Sequence, residues 1–419
     1  MPAIATRVET ALPGIVDRIF ATGRRVFHRV RSWPWWAQVG LVWLLGRVFS
    51  LLVVLTVAHQ QGPNPWSPSQ PGYLDYIDGW DANWYHKIFD EGYPRDLPQH
   101  PDGDLKTNQW AFYPVLPALA RLVTGVTGAS WLVVAPLIST LASLGLCLLL
   151  FRLFRTRAPE PVALMAVTLF SFQPAAPILQ FPYAESLGLL VLVAVLLLVI
   201  ERRFLLAVPL VLLLGVTRPM AAPLALSLGL LGVGWFLRRD REPVERRDWW
   251  RLGALTVAAL AATAMWPVIV GVVTGDATAY VRTEAAWHGN ERVLPGELWA
   301  NIGIRMFGKP LGVLAPVLFV LGLALLMATR TVRRLGAVMY LWTASYLLYT
   351  LGVIAPNGAF FRLMMPAFPL FLAASMASRS KAYRVALLVL CLVGQIVWVT
   401  WLWHWSGWDN PTGAPELNP

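Results

Sequence analysis

The sequence predicts an all-α polytopic membrane protein. About eleven transmembrane helices are expected, with a re-entrant or interfacial helix and an outer-face loop carrying amphipathic helix. Three observations lead there. The chain has 419 residues, 57% hydrophobic and only 14% charged, where soluble domains carry about a quarter charged residues. Apolar runs recur from residue 36 to 404, each near the ~20 residues that a helix needs to cross the hydrocarbon core. The breaks between them are Arg clusters or Pro/Gly-rich loops. Lipid offers the backbone no hydrogen-bond partner, so such runs are helices. No repeat is evident, and residues 36–404 read as one transmembrane domain.

Residues 1–35 form a basic cytoplasmic segment in this reading. Ile15, Val16, Ile19, Phe20, Val26, Phe27 and Val30 recur at helical spacing among Arg18, Arg24, Arg25 and Arg29. That pattern fits an amphipathic helix on an anionic leaflet; a disordered basic tail is the alternative. The first apolar run, continuing to residue 58, is too long for a cleavable signal.

With the N-terminus in the cytoplasm, span 36–58 exits and the acid-rich loop 59–111 lies outside. Segment 111–123 is short and carries Pro114, Pro117 and Arg121, so it is expected to be re-entrant or interfacial. Spans follow at 131–151, 161–178, 185–200, 204–217, 220–237, 252–273, 311–328, 337–355, 363–377 and 385–404. Residues 274–310 form a second outer loop and 405–419 an outer tail. The Arg clusters at 152–157, 201–203, 238–251, 329–334 and 378–384 then all fall on the cytoplasmic side. A full crossing by 111–123 would flip every later cluster outward, against the positive-inside rule. The formal charge of +11 is explained this way, with no nucleic-acid partner. Cys147 and Cys391 lie in apolar spans and read as inert buried thiols. No Cys/His cluster has metal-ligand spacing, and no metal or other cofactor is expected to be required.

This topology brings loops 78–94, 179–186, 216–221 and 357–366 to one face. Spans 204–217 and 363–377 are short, which draws their loops toward the hydrocarbon and suits a cavity open to lipid head groups. In "DGWDANWYHKIFDEGYP", Ile77, Trp80, Trp84, Tyr85 and Ile88 recur near helical spacing. One amphipathic interfacial helix over 75–89 is expected, with Asp78 and Asp81 on adjoining parts of its other face. Either is a candidate general base; a solvated acidic face is the competing reading. Ionisable residues at membrane depth are costly and point to function. Glu185 opens an apolar span, where a helix N-terminal acid is the alternative. Arg218 and Arg362 stand away from the Arg-rich side. They are candidates to hold a phosphate with a guanidinium fork, and Arg362 as a lone outer cation also fits snorkelling to lipid phosphate. His288, in the second outer loop, is a candidate to line a sugar site; for His86, inside the acidic stretch, no second ligand is near enough to favour a metal, and a plain polar contact is the reading. Trp80 and Trp84 suit stacking on a sugar, or interfacial anchoring.

The motifs resemble one family. "GWDANWYHKIFDEGYP" is similar to the W-D-x-x-W/H-[FY]-x-x-I-x-x-x-G-Y signature of the PIG-V type mannosyltransferases. "QWAFYPVLPALARLV", which contains Tyr113, resembles the family's A-F-F-P-L-Y-P-x-L-x-R segment. "FPYAESLGLL" resembles Y-T-E-S-L-F, with Ala184 in place of Thr, and "RLMMPAFPL" resembles the late R-x-x-x-P-x-F-P segment. "VTRPMA" matches R-x-N-G only in part, since Pro219 and Met220 depart from it. The matches come in family order over residues 79 to 370.

The resemblance implies a GT-C fold and a polyprenyl-phosphate mannose donor. The reaction would be inverting transfer to a glycolipid, polysaccharide or protein hydroxyl, at the outer face of a bacterial plasma membrane. It implies Asp81 as base with Asp78 as second candidate, and Arg362 then Arg218 at the departing phosphate. Sugar or acceptor contacts would come from Trp80, Trp84, Tyr85, His86, Tyr113, Tyr183, Glu185 and His288. Two other classes fit the same composition: a transporter or flippase of a lipid-linked sugar, and a non-catalytic membrane scaffold that binds glycolipid.

Overall fold

The computed structural model describes residues 29–241, 243–287, 297–353 and 358–405. Most of segment 1–35, His288 and the tail beyond 405 lie outside the described residues, as does residue 357 of the 357–366 loop. Among the described residues the fold is all-helical, with one isolated antiparallel bridge between Gln99 and Leu105.

Among the described residues five helices are long and apolar enough to cross a membrane: Trp35–Ala58 (α1), Trp131–Arg155, Arg246–Thr274, Leu311–Ala328 and the run Lys381–Trp403. Between α1 and the second of these lie Tyr73–Ile77 (α2), Asp81–Glu91 (α3) and Val115–Thr127 (α4), which makes Trp131–Arg155 α5. Shorter apolar helices follow: Glu160–Phe172 (α6), Glu185–Ile200 (α7), Phe204–Gly215 (α8) and Ala221–Leu237 (α9). Arg246–Thr274 is α10, and the connection after it carries Ala279–Ala286 (α11) and Glu297–Phe307 (α12). Leu311–Ala328 (α13), Arg330–Arg333 (α14), Ala337–Val353 (α15), Phe360–Leu363 (α16), Pro369–Ala377 (α17) and Lys381–Val397 (α18) complete the order.

Three expected elements are broken, each for a backbone reason. The expected helix 75–89 is two helices, α2 and α3, interrupted at Asp78, Gly79 and Trp80. Trp80 sits at φ 58, a left-handed conformation that no helix continues through. The span expected at 161–178 stops at Phe172, because Gln173 precedes Pro174 and is held extended at ψ 160. The span expected at 363–377 divides into α16, a 3₁₀ turn at Met365–Ala367, and α17. Pro366 and Pro369 remove the amide donors that would have joined them.

Buried polar groups tie the helices. Arg47 of α1, buried among apolar helices, donates to Ser171 O at 3.1 Å and Ala176 O at 2.6 Å. It thereby satisfies the Ser171 carbonyl, which the early end of α6 leaves open, and the Ala176 carbonyl in the 3₁₀ turn that follows. Trp43 Nε1 donates to Ser143 Oγ at 2.8 Å, and Gln395 Nε2 to Ser50 Oγ at 2.7 Å. Small residues let backbones approach: a Cβ on Gly215 of α8 would lie 2.5 Å from Ala262 O of α10. Gly215→Leu is therefore expected to force α8 and α10 apart and destabilise the fold by about 1–3 kcal/mol. The check is the thermal midpoint in detergent; an unchanged midpoint would show that the contact is slack.

The bundle has two unlike ends. Helices α5, α7 and α9 finish at Arg-rich turns, where Arg157 lies over Gly336 and Arg202 pairs with Asp248 at 3.1 Å. Their starts, with the end of α8, gather at the opposite end beneath α2, α3 and α4. Arg121 of α4 donates to Phe89 O at 2.6 Å and Ile88 O at 2.9 Å. It closes the last turn of α3, where a cation also meets the negative end of the helix dipole.

Candidate active site

Two helix starts supply the carboxylates. Asp81 is the first residue of α3 and Glu185 the first of α7, positions that favour an anion through the free amides and the dipole. Two loop arginines face them. Arg362 Nη1 pairs with Asp81 Oδ2, and Arg362 Nε lies 3.5 Å from Glu185 Oε1. Arg218 Nη2 reaches the same Glu185 oxygen at 2.9 Å. The Glu185 side chain is 5% exposed, Arg362 7%, Arg218 15% and Asp81 17%. The group is enclosed enough for its charges to need one another, with Asp81 nearest the opening. A buried ion pair of this kind contributes little net stability, because desolvation offsets attraction; its value lies in holding oriented charge.

Tyr183 is the floor. Its hydroxyl accepts the Asp81 backbone N–H at 3.2 Å, its ring lies under the Arg362 guanidinium at 5.2 Å, and its carbonyl accepts Ser139 Oγ at 3.0 Å. Gly188 gives Arg218 its room, since a Cβ there would meet Arg218 Cγ at 2.8 Å.

Asp78 faces elsewhere. Its Oδ2 is 2.6 Å from His86 Nδ1 and its Oδ1 accepts Trp131 Nε1 at 2.7 Å. His86 stacks on Trp131 at 5.3 Å and approaches Asp90 at 3.6 Å. Burial raises the Asp78 pKa more than its partners lower it. For His86, burial pulls downward, but the Asp78 hydrogen bond and the Asp78 and Asp90 charges outweigh it and the pKa rises. A raised His86 pKa stabilises the fold fully below the ordinary value of 6.5 and is lost as pH climbs through the raised value. The difference in thermal midpoint between the wild type and His86→Gln is accordingly expected to be largest near pH 6 and to shrink toward pH 9. A pH-independent difference would remove charge from this contact.

The remaining candidates form walls. Tyr85 is fully buried with its hydroxyl in the field of Arg218. Trp84 lies parallel to Phe112 at 5.8 Å and edge-on to Trp287 at 5.5 Å. Tyr113 Oη meets Tyr280 Oη at 3.2 Å. Trp80 donates its Nε1 to Trp403 O at 3.1 Å and turns away from the arginines. The structure thus brings Asp81, Arg362, Glu185, Arg218 and Tyr183 together, and sets Asp78, His86 and Trp80 apart from them. Sequence reasoning passed over Glu284 on α11. Burial pushes its pKa up to about 7, against a Tyr280 hydrogen bond and the Arg218 charge. A lone Glu in a polar connection carries no signal; only its placement among Tyr113, Tyr280, Tyr349 and Arg218 marks it. Among the described residues no group of three or more His, Cys, Asp or Glu is placed to hold a metal ion.

No family model matches the chain, and no curated protein matches it. Among solved structures it is similar to an archaeal oligosaccharyltransferase, AglB from Archaeoglobus fulgidus, in complex with an inhibitory peptide and a dolichol-phosphate. Identity is 13%, the match covers 86% of this chain and 55% of that one, and the TM-score is 0.46. The apo form of the Archaeoglobus fulgidus oligosaccharyltransferase matches at 13% identity over 91% of this chain and 60% of that one, with a TM-score of 0.48. The chain therefore spans little more than half the length of these structures.

Proposed function

We propose that this chain is an inverting membrane glycosyltransferase of the GT-C type. It would move mannose from a polyprenyl-phosphate mannose to an acceptor hydroxyl at the extracytoplasmic face. The observation that carries the reading is the enclosed set of Asp81, Arg362, Glu185 and Arg218 at the end of the bundle away from the Arg-rich turns. The motif resemblance supports the sugar and the donor.

The chemistry follows from those positions. Arg362 is paired to Asp81. A donor phosphate competes for the same guanidinium fork, and Asp81 is left as a free carboxylate above the sugar. Asp81 takes the acceptor O–H proton as that oxygen bonds to the anomeric carbon. The bond from that carbon to the phosphate oxygen breaks, its electron pair stays on phosphate, and one displacement inverts the centre. Arg362 and Arg218 stabilise the charge that develops there. A phosphate leaves without protonation, so one carboxylate suffices where a glycosidase uses two. Glu185 holds both arginines in register.

The test is transfer from radiolabelled polyprenyl-phosphate mannose in membranes bearing the chain. Labelled product with the wild type only, against vector membranes, supports the reading; movement of the lipid without product favours a flippase. Two cations already face the phosphate position, so transfer is expected to persist in EDTA. Loss of transfer restored by a divalent ion would overturn that metal-independence.

A further inference from the structure

A second polar group lies within the field of Arg218. It consists of Glu284 and Tyr280 on α11, Tyr113 just ahead of α4, and Tyr349 on α15. We infer that Glu284 is a specificity-determining carboxylate: with these tyrosines it holds hydroxyls of the sugar being transferred. The inference rests on the glycosyl-transfer reading.

The placement follows from how α11 is seated. Ala279 and Thr283, four residues apart, are buried, and Asn108 Nδ2 donates to Thr283 Oγ1 at 3.3 Å. Tyr280 and Glu284 form the adjoining rank of the same helix, at the i, i+4 spacing where side chains meet. The Tyr280 hydroxyl bonds to Glu284 and meets Tyr113 Oη at 3.2 Å. Tyr113 is itself fixed: it stacks on Trp266 at 5.4 Å, whose Nε1 donates to Trp110 O at 3.0 Å. Val216, two residues before Arg218, packs against the same aromatic cluster. That contact brings the Arg218 loop to the tyrosines.

Three features select the ligand. Glu284 has no cation of its own. Arg218 is taken by Glu185 at 2.9 Å, Arg282 pairs with Asp276 at 2.9 Å, and among the described residues no ion pair reaches Glu284. The group is also reachable, since Glu284, Tyr280 and Tyr349 are half-buried and keep accessible surface. Its bonding capacity is unfilled as well: a carboxylate has about four acceptor positions, and Tyr280 supplies one donor. Like charge turns a phosphate away from Glu284, and an apolar tail would strip water from the carboxylate without replacing it. Sugar hydroxyls both donate and accept, which suits a carboxylate set among phenols. A sugar carried on a phosphate at Arg218 lies next to that cation, where this group stands.

The test compares donors. Membranes bearing the full chain are given polyprenyl-phosphate mannose or the monodeoxy analogues of its sugar. The wild type is expected to reject at least one analogue by about 10- to 100-fold in kcat/KM, the worth of a hydrogen bond to a charged group. Glu284→Ala should lose about that factor on the parent donor and no longer reject that analogue, while keeping its discrimination at the other positions. Glu284→Gln, which preserves shape and one carbonyl, should fall between. A merely structural carboxylate would lower every donor alike; that outcome, or wild-type kinetics in Glu284→Ala, overturns the assignment. Binding separates the inference from the transferase reading. Glu284→Ala should bind polyprenyl-phosphate mannose about tenfold or more weakly and polyprenyl phosphate as the wild type does. That pattern in a chain that transfers no mannose retains the sugar contact and removes the transferase reading. Transfer by the wild type, with both lipids bound equally well by Glu284→Ala, does the reverse.

Discussion

Asp81→Asn is expected to lower the turnover of the proposed mannosyl transfer by about 100- to 10,000-fold, the usual worth of a positioned general base. Donor binding should stay within a few-fold. Asn keeps the shape and the α3 amide contact to Tyr183, but it cannot accept the acceptor proton. It also releases Arg362 from its carboxylate partner, which favours donor phosphate. The predicted signature is a low kcat with an unchanged or lowered donor KM. Single-turnover transfer in membranes measures it. Asp78→Asn supplies the contrast. Both Asp78 oxygens are occupied, by His86 and Trp131, so its loss should reduce thermal stability more than the chemical step. A collapse of kcat in Asp78→Asn with an intact thermal midpoint would move the base to Asp78.

Arg362→Lys has the second largest expected effect. The guanidinium reaches Asp81 and Glu185 from different nitrogens, and a lysine ammonium is a single point charge that cannot reproduce that fork. If Arg362 also meets the departing phosphate, kcat should fall by about 100- to 1,000-fold, as when one preorganised donor is removed from a developing anion. Donor KM should rise as well. Arg362→Leu goes further, leaving the buried Glu185 with Arg218 alone, and about 3–5 kcal/mol of stability is at risk. Kinetics of the Lys variant, beside its thermal midpoint, separate the two roles. Wild-type kinetics in Arg362→Lys would move the phosphate to Arg218.

Much of the fold was legible because lipid leaves the backbone few options. The long apolar runs at 36–58, 131–151 and 311–328 are helices at nearly those limits. The failures come from local backbone chemistry that apolar periodicity ignores. Trp80 keeps the helical spacing of its neighbours yet sits at φ 58, so hydrophobic pattern joined what the backbone divides. Prolines at 174, 366 and 369 cut apolar runs whose composition alone looks continuous. At the site, the rule that charge in an apolar setting does work selected Glu185, Arg218 and Arg362 one by one, while the motif resemblance ranked Asp81 above Asp78. Their pairing was not legible: Arg362 and Asp81 are 281 residues apart, and nothing in either neighbourhood names the other. The burial of Asp78 against Trp131 was hidden in the same way, and so was Arg47, whose partners are the carbonyls of Ser171, freed where α6 ends early, and of Ala176 in the turn beyond it.

A clasp between Gln61 and Trp405 joins residues 344 positions apart, and it has a consequence for biosynthesis. A nascent chain that has threaded Asp81, Glu185 and Arg218 into the bilayer still lacks Arg362, so it carries a carboxylate without its counter-cation. The Trp405 half of the bond to Gln61 is missing for longer still. Synthesis through Arg362, rather than insertion of the first helices, therefore marks the moment when the charged set becomes whole.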